Sequence, residues 1–363
     1  DRSASMMPEA EITHLHRMFT LVMDDVRAGH FSPVMILENQ TPVEFSALPL
    51  SCFEGGNYEH VSYDSVSRLL EDYYASKNTV SRIRQKSVDL RKIVQTALER
   101  NYKKYDLQLK QLKDTEKREK YRIYGELLNT YGYELTGGEK EFTCFNYYTN
   151  EDIKIPLDPQ LTAKENAQKH FDRYNKLKRT YEALSKLTEE TAAQIEHLES
   201  ISAALDIALK EEDLTQIKEE LQEFGYIKKR GPGQKKARVT SRPFHYISSD
   251  GFHIYVGKNN YQNEEVSFKI AGSDDWWFHA KGIPGSHVIV KSEGKELPDR
   301  VFEEAGALAA YYSKGRNSEK VEVDYLQRRG LKKVTGGAPG FVIYHSNYSL
   351  MAVPRLELKE ADG

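Results

Sequence analysis

Cysteine is almost missing from this chain: Cys52 and Cys144 are the two copies in 363 residues, far apart and in no CxxC pair. That excludes a disulfide framework, offers no zinc knuckle, and makes a reducing cytosol the expected compartment. Long apolar runs are missing too. Nothing approaches the roughly 18 to 20 apolar residues needed to span a bilayer, and no charged segment followed by an apolar one near Asp1 reads as an export signal. Position 1 carries no Met, so a fragment of a longer protein is expected. A net charge of -3 argues against indiscriminate nucleic-acid binding, although the sum hides how the charges are distributed.

What is present is charge, 29 % of residues against 39 % hydrophobic, in a chain too long for one ordinary domain. The expectation is a multidomain, elongated α+β protein. Residues 1–77 read as a helical and mixed remnant of an N-terminal region. Ile12, Leu15, Met18, Phe19 and Val22 follow helical spacing with Gly29 as the stop, short strands fall at 34–37 and 43–48, and a helix over 61–74 is led by Ser62 or Asp64. From 78 to 129 there is no proline and a single glycine, Gly125; from 165 to 224 there is neither. Two long helices follow. In the second, Leu177, Leu184, Thr191, Leu198 and Leu205 form one heptad seam, with Tyr174, Tyr181 and Ile195 as its companion. Residues 78–225 are therefore predicted to be a long antiparallel coiled-coil hairpin, each arm roughly 75 to 90 Å at ~1.5 Å per residue, with a β-hairpin near 142–155 at its tip. Residues 79–127 hold 14 Lys and Arg against 7 Asp and Glu, whereas 165–224 hold 8 against 14. Cross-helix pairing accounts for that asymmetry; a basic ridge along phosphates is the sharper alternative.

Residues 226–242 carry seven basic residues, among them Lys228, Lys229, Arg230, Lys235, Lys236 and Arg238, around Gly231-Pro232-Gly233, and read as a basic linker that is either a solvated tether or an RNA contact. Residues 243–357 alternate short strands (252–256, 267–271, 276–280, 287–290, 320–323, 341–344) with one helix over 298–314, an α+β pattern; 358–363 form a tail. Both tryptophans lie in Asp275-Trp276-Trp277-Phe278-His279-Ala280-Lys281, just before Pro284-Gly285-Ser286-His287. On a strand, Trp277, His279 and Lys281 share one face and Trp276, Phe278 and Ala280 the other. Trp277 then offers a surface for base stacking and His279 a ring or hydrogen bond, while plain burial is the competing reading, stronger for Trp276. Asp275 suits bracing, accepting from His279, Ser286 or a backbone amide. Gly285 with Ser286 and His287 suits phosphate oxygens. Lys258, Asn259, Asn260, Gln262 and Asn263 read as a polar loop able to close turns or read base edges. Lys281, Lys314, Arg316, Lys332 and Lys333 are candidate phosphate contacts or ordinary surface charges. The spacing of Asp275, His279 and His287 is unlike a zinc signature, Gly285-Ser286-His287 lacks the GxSxG elbow of a hydrolase, and no metal or cofactor is expected.

These motifs carry a resemblance. Gly251 to Asn260 with Gln262-Asn263, Asp275-x-Trp277-x-His279, Pro284 to Val288, Tyr311 to Lys314, Val323-Asp324-Tyr325, Lys332-Lys333 and Pro339 to Tyr344 resemble, in order, the RNA-binding module of the NFACT family. Leu157-Asp158-Pro159, Glu165 to Gln168 and Tyr174 to Lys178 resemble the family's coiled-coil module. The resemblance implies a bacterial ribosome quality-control factor of the kind long labelled fibronectin- or fibrinogen-binding. Such a factor binds a large ribosomal subunit, its rRNA and proteins, carrying stalled peptidyl-tRNA. With alanyl-tRNA it supports template-free C-terminal tailing of the nascent chain. The ribosome makes the peptide bonds, so the factor positions tRNA and is not itself an enzyme; a cytoplasmic, ribosome-associated location follows. The family's N-terminal domain, with its Asp-Arg pair, is expected to be mostly missing, so this piece would keep ribosome and RNA contacts and lose tail synthesis. A surface adhesin for fibronectin or fibrinogen and a purely structural coiled coil are the competing classes.

Overall fold

The computed structural model describes residues 7–38, 41–54, 58–228 and 240–361. It divides into two compact units, one built from residues 1–91 and 203–363 and the other from 92–202.

The first unit opens with helix α1 (Glu9–Ala28), which has acidic residues in its first turn and Arg27 in its last. Gly29 closes it at φ 72°, letting the His30 amide donate to the Asp25 carbonyl at 2.9 Å. No residue of α1 is buried. Strands β1 (Val34–Glu38), β2 (Thr41–Ser46) and β3 (Tyr58–Ser62) make an antiparallel sheet in the order β2-β1-β3. Met35 of β1 packs on Leu69 and Tyr73 of helix α2 (Val66–Asp114). The helix predicted from Val61 thus starts later. Residues 58–62 pair with β1, and Ser65, not Ser62 or Asp64, caps α2 by accepting from the Arg68 amide at 3.2 Å. The helix passes residue 78 without a break.

In the second unit the first arm is not one helix. α2 ends at Asp114, a 3₁₀ turn covers Thr115–Lys117, and α3 (Arg118–Tyr131) restarts. The predicted tip hairpin is present as β4 (Glu141–Asn146) and β5 (Glu151–Pro156), with Asn150 turning at φ 55°. Phe142, Cys144 and Ile155 from its inner face pack with Tyr124, Leu127 and Leu128 of α3. Helix α4 (Ala163–Ile207) starts in a capping box, Thr162 and Glu165 each accepting from the other's amide. Thr191, Ile195 and Leu198 of the predicted seams are buried, and Leu177, Leu184, Tyr174 and Tyr181 half-buried. The arms pair antiparallel within one chain: Tyr102 donates to Glu199 at 2.7 Å and the Arg118 guanidinium lies 3.9 Å over the Tyr181 ring.

Back in the first unit the same antiparallel sense continues. Lys86 meets Glu211 at 2.5 Å, Arg82 meets Glu211 at 3.1 Å, and Arg91 pairs with Asp206. Cross-helix pairing therefore accounts for these three cations. Lys103, Lys104, Lys110 and Lys113, all exposed, make no ion pair among the described residues. The return arm also differs from one unbroken helix, because α5 (Glu211–Glu223) is separate. The Asp213 carboxylate accepts from the Leu209 and Lys210 amides at 3.0 and 2.9 Å, and that capture starts a new helix where neither glycine nor proline marks a break.

The C-terminal α+β domain is a six-stranded antiparallel sheet, ordered β13-β10-β8-β9-β7-β6. The strands are β6 (Phe244–Ile247), β7 (His253–Val256), β8 (Trp276–Ala280), β9 (Val288–Val290), β10 (Val321–Gln327) and β13 (Tyr348–Ala352). A two-stranded ribbon of β11 (Lys332–Lys333) and β12 (Val342–Ile343) is separate. Helix α7 (Asp299–Tyr311) packs Val301, Ala305 and Leu308 against Phe278, Val288 and Val323 on one face. On the other lie the short helix α6 (Asn260–Glu265) and a π-helical turn over Val266–Ile270, where a strand was predicted. Val266 buries there completely; five residues with alternating apolar character fit one wide helical turn as well as a strand.

Candidate nucleic-acid interface

β8 lies inside the sheet, flanked by β10 and β9, and the predicted alternation holds. Phe278 and Ala280 enter the core beneath α7; Trp277 and His279 point to the opposite face. That second face is not open. Trp277 is 0 % exposed, packed with Val266, Ile289, Leu326 and Leu331, with His279 stacked at 5.6 Å, His287 edge-on at 5.1 Å and Tyr344 at 5.4 Å. Its ring has no free face for a base, which corrects the stacking role expected of it. The accessible indole is Trp276, only half-buried, whose ring meets Phe302 at 5.0 Å, Tyr325 at 5.9 Å and the 63 % exposed Tyr348 at 6.4 Å. This aromatic group was missed because Tyr325 and Tyr348 meet only through the β10–β13 register.

Both histidines are neutral near pH 7. Burial pushes the partly covered His279 down to about 4, against the opposing pull of the Gly285 carbonyl and the Asp324 charge. Burial likewise holds His287 well below its ordinary value, with the neighbouring His279 adding to the effect. His287 Nδ1 shares a 2.8 Å hydrogen bond with Ser267 Oγ, and its amide donates to Asn263 Oδ1 at 3.0 Å. Asp275 braces as expected, though not through His279 or Ser286. It accepts from the Gly272 and Ser292 amides at 2.7 and 2.8 Å and pairs with Lys291. Burial raises its pKa, but Lys291 and the two amides outweigh that and leave it below the usual carboxylate value.

Two further expectations are corrected. Ser286 is 1 % exposed and donates to the Gly257 carbonyl at 2.5 Å, while its amide donates to the Tyr312 carbonyl. Gly285 permits close approach to Ser313, 2.9 Å from where a Cβ would sit, and not to a phosphate. The segment 258–263 is no surface loop. Asn259 caps α6 by accepting from the Gln262 amide at 3.1 Å, and Lys258, Asn259, Asn260, Gln262 and Asn263 are all buried. Their polar ends meet α5 instead: Asn259 and Gln262 each donate to Gln216 at 2.8 Å, Asn260 donates to Glu220 at 2.7 Å, and Lys258 lies 3.6 Å from Asp213. Asn263 donates to the Gly285 carbonyl at 3.2 Å.

The cations divide differently. Lys281 is exposed and bonds Glu322 at 2.6 Å; Lys333 is exposed and bonds Glu264 at 2.7 Å; Lys332 and Lys314 face solvent; Arg316 is half-buried, 3.9 Å over the Tyr311 ring. Lys228 is exposed, whereas Lys229, Arg230, Lys235, Lys236 and Arg238 lie outside the described residues. No group of three or more His, Cys, Asp and Glu able to hold a metal is found among the described residues. Cys52 and Cys144 are free thiols, and no described helix is long and apolar enough to cross a membrane.

An antiparallel sheet domain with a solvent-facing set of lysines, following a helical hairpin, has counterparts among known proteins. Residues 1–240 match the NFACT N-terminal and middle domains and residues 242–345 the NFACT protein RNA binding domain, so the chain belongs to the NFACT family. It is 40 % identical over 315 residues to the Rqc2 homolog RqcH of Streptococcus suis, covering 86 % of this chain and 56 % of that one. To the Rqc2 homolog RqcH of Bacillus subtilis it is 37 % identical over 299 residues, covering 80 % and 51 %. The chain thus spans about half the length of these curated relatives. A solved structure of the C-terminal of the fibronectin/fibrinogen-binding protein from Streptococcus suis is also similar, 37 % identical with a TM-score of 0.58, covering 76 % of this chain and 96 % of that one.

Proposed function

We propose that this chain is the ribosome- and RNA-contacting part of a ribosome quality-control factor that binds the large subunit carrying stalled peptidyl-tRNA. In the whole protein it supports alanyl-tRNA-dependent, template-free tailing, with peptide bonds made by the ribosome and tRNA positioned by the factor. The observation that carries this reading is the run of two NFACT matches in order along one chain that is 40 % identical to an Rqc2 homolog. Support from the geometry is of a particular kind. The buried motif residues Trp277, Ser286 and His287 hold the domain together, and contact falls to the exposed Lys314, Lys332, Lys333, Lys281 and Lys228, with the exposed Tyr348 beside the half-buried Trp276 as a stacking surface. Along α2, Lys103, Lys104, Lys110 and Lys113 add exposed cations, interleaved with Asp106 and Asp114, that can reach a phosphate backbone.

The test is co-sedimentation with purified large subunits across a salt series. Binding should fall steeply with salt, and the double variants Lys332→Glu/Lys333→Glu and Lys103→Glu/Lys104→Glu should each flatten the log–log slope. Undiminished pelleting by both variants overturns the assignment of contacts. Salt-tolerant attachment to immobilised fibronectin or fibrinogen, with no pelleting, favours the adhesin reading instead.

A further inference from the structure

Beside the C-terminal sheet, in the same compact unit, a cavity of about 370 Å³ opens between the base of α2, the end of α4 and the end of α7. Arg84 and Arg91 enter it from α2 and Arg316 from the segment after α7; Asp206 is the one acidic residue in its lining. Three guanidinium groups against one carboxylate leave the space positive in a chain whose total charge is negative. Two of the three are oriented in advance. Arg91 donates from Nε to Ser87 Oγ at 3.1 Å and from Nη2 to the Leu205 carbonyl at 2.5 Å, and also pairs with Asp206. Arg316 lies 3.9 Å over the Tyr311 ring and donates to its hydroxyl. Arg84 is exposed and makes no ion pair among the described residues. Ser87 and the two tyrosines Tyr311 and Tyr312 complete the lining with an apolar wall that includes Ile83, Ile207 and Leu356.

We propose that this cavity is a nucleotide site, with the phosphate held by Arg84, Arg91 and Arg316 and the sugar and base laid against the apolar wall. Planar guanidinium forks suit the spread oxygens of a phosphate better than a single carboxylate needs, and fixing them beforehand lowers the ordering cost of binding. The volume sits at the small end of the range for small-molecule sites, roughly 300 to 1,000 Å³, as one nucleotide requires. The ligand is then either a free mononucleotide or one residue of a single RNA strand. The proposal does not rest on ribosome binding; nucleotide affinity is read on the chain alone, so either reading can fail without the other.

Calorimetric titration of the full chain with AMP, adenosine, inorganic phosphate and a 5′-phosphorylated RNA pentamer separates the cases. AMP should bind more tightly than adenosine or phosphate, and Arg84→Glu should weaken it about tenfold or more, the effect of losing one charge-assisted contact. Arg316→Gln should weaken it as well, while Arg17→Glu, an equal charge change on exposed α1, should not. Saturable AMP binding lost in Arg84→Glu identifies a free-nucleotide site; a pentamer that binds and loses affinity where AMP is silent identifies the strand. Adenosine binding as tightly as AMP, affinities unmoved by Arg84→Glu and Arg316→Gln, or no saturable heat from AMP or pentamer overturns the proposal.

Discussion

Trp277 shows how far one residue's environment decides its use. It is fully enclosed, and its indole Nε1 finds no hydrogen-bond partner among the described residues, so it contributes packing and leaves a polar atom unsatisfied. Trp277→Ala should cost about 3–5 kcal/mol in urea unfolding, the range for emptying a buried aromatic site. Trp277→Phe should cost much less, since it removes the unsatisfied donor along with part of the ring; comparable losses for the two would show that the indole N–H has a partner. The histidines add a pH dependence with a definite sign. Their folded pKa values lie below the unfolded value near 6.5, so the unfolded chain takes up protons first as pH falls. Stability is fully present above about 6.5 and declines toward 4, where His279 titrates in the folded state. A melting temperature measured from pH 7.5 to 4.5 should fall in wild type and fall less in His279→Gln, provided that variant still melts cooperatively. At this scale the sequence was half legible. Asp275 as a brace followed from its chemistry, but which of two adjacent tryptophans is covered depends on what packs over each face.

Elements join through groups whose partners are distant in sequence. Asp213 and Lys258 are 1 % and 6 % exposed, and the Lys258 ammonium also sits 4.2 Å over the Phe244 ring. Asp213→Ala removes the acceptor of the Leu209 and Lys210 amides and leaves a buried ammonium without its carboxylate. A loss of about 3–5 kcal/mol is expected, with Lys258→Met on the same background recovering part of it. Denaturant midpoints of the single and double variants check this, and strict additivity would mean the pair is not coupled. In the second unit, Gly125 has a packing reason: a Cβ there would lie 2.8 Å from the Phe171 ring of α4. Gly125→Leu should destabilise by about 1–3 kcal/mol through overpacking, despite the better helix propensity of leucine, and the midpoint of helical signal loss reads the sign. The long helices and tip hairpin were legible because heptad spacing and a short run of strand-forming residues on either side of a turn are local signals. The restarts at Arg118 and Glu211 were not, since no glycine or proline marks them.

For the whole molecule, the ion pairs of Arg82, Lys86 and Arg91 with α4 and α5, and Tyr102 with Glu199, form inside one chain. Light scattering should therefore report one chain per particle. A dimer that survives Phe19→Glu, which breaks the exposed stripe of α1, would mean helices exchanged between chains. Composition, heptads and ordered motifs pointed to the α+β class and the NFACT kinship, because each depends on periodicity or on residues close together in the chain. Tertiary structure alone decided which polar residues reach solvent. Lys258, Asn259, Gln262, Ser286 and His287 are the kinds of side chain that bind RNA when exposed, and here α5 meets Lys258, Asn259 and Gln262, the Gly257 carbonyl takes the Ser286 hydroxyl, and Ser267 meets the His287 ring, so all are satisfied internally. A side chain's hydrogen-bonding capacity is written in its type, but whether it is spent within the fold or offered to a partner depends on long-range packing that no local pattern encodes.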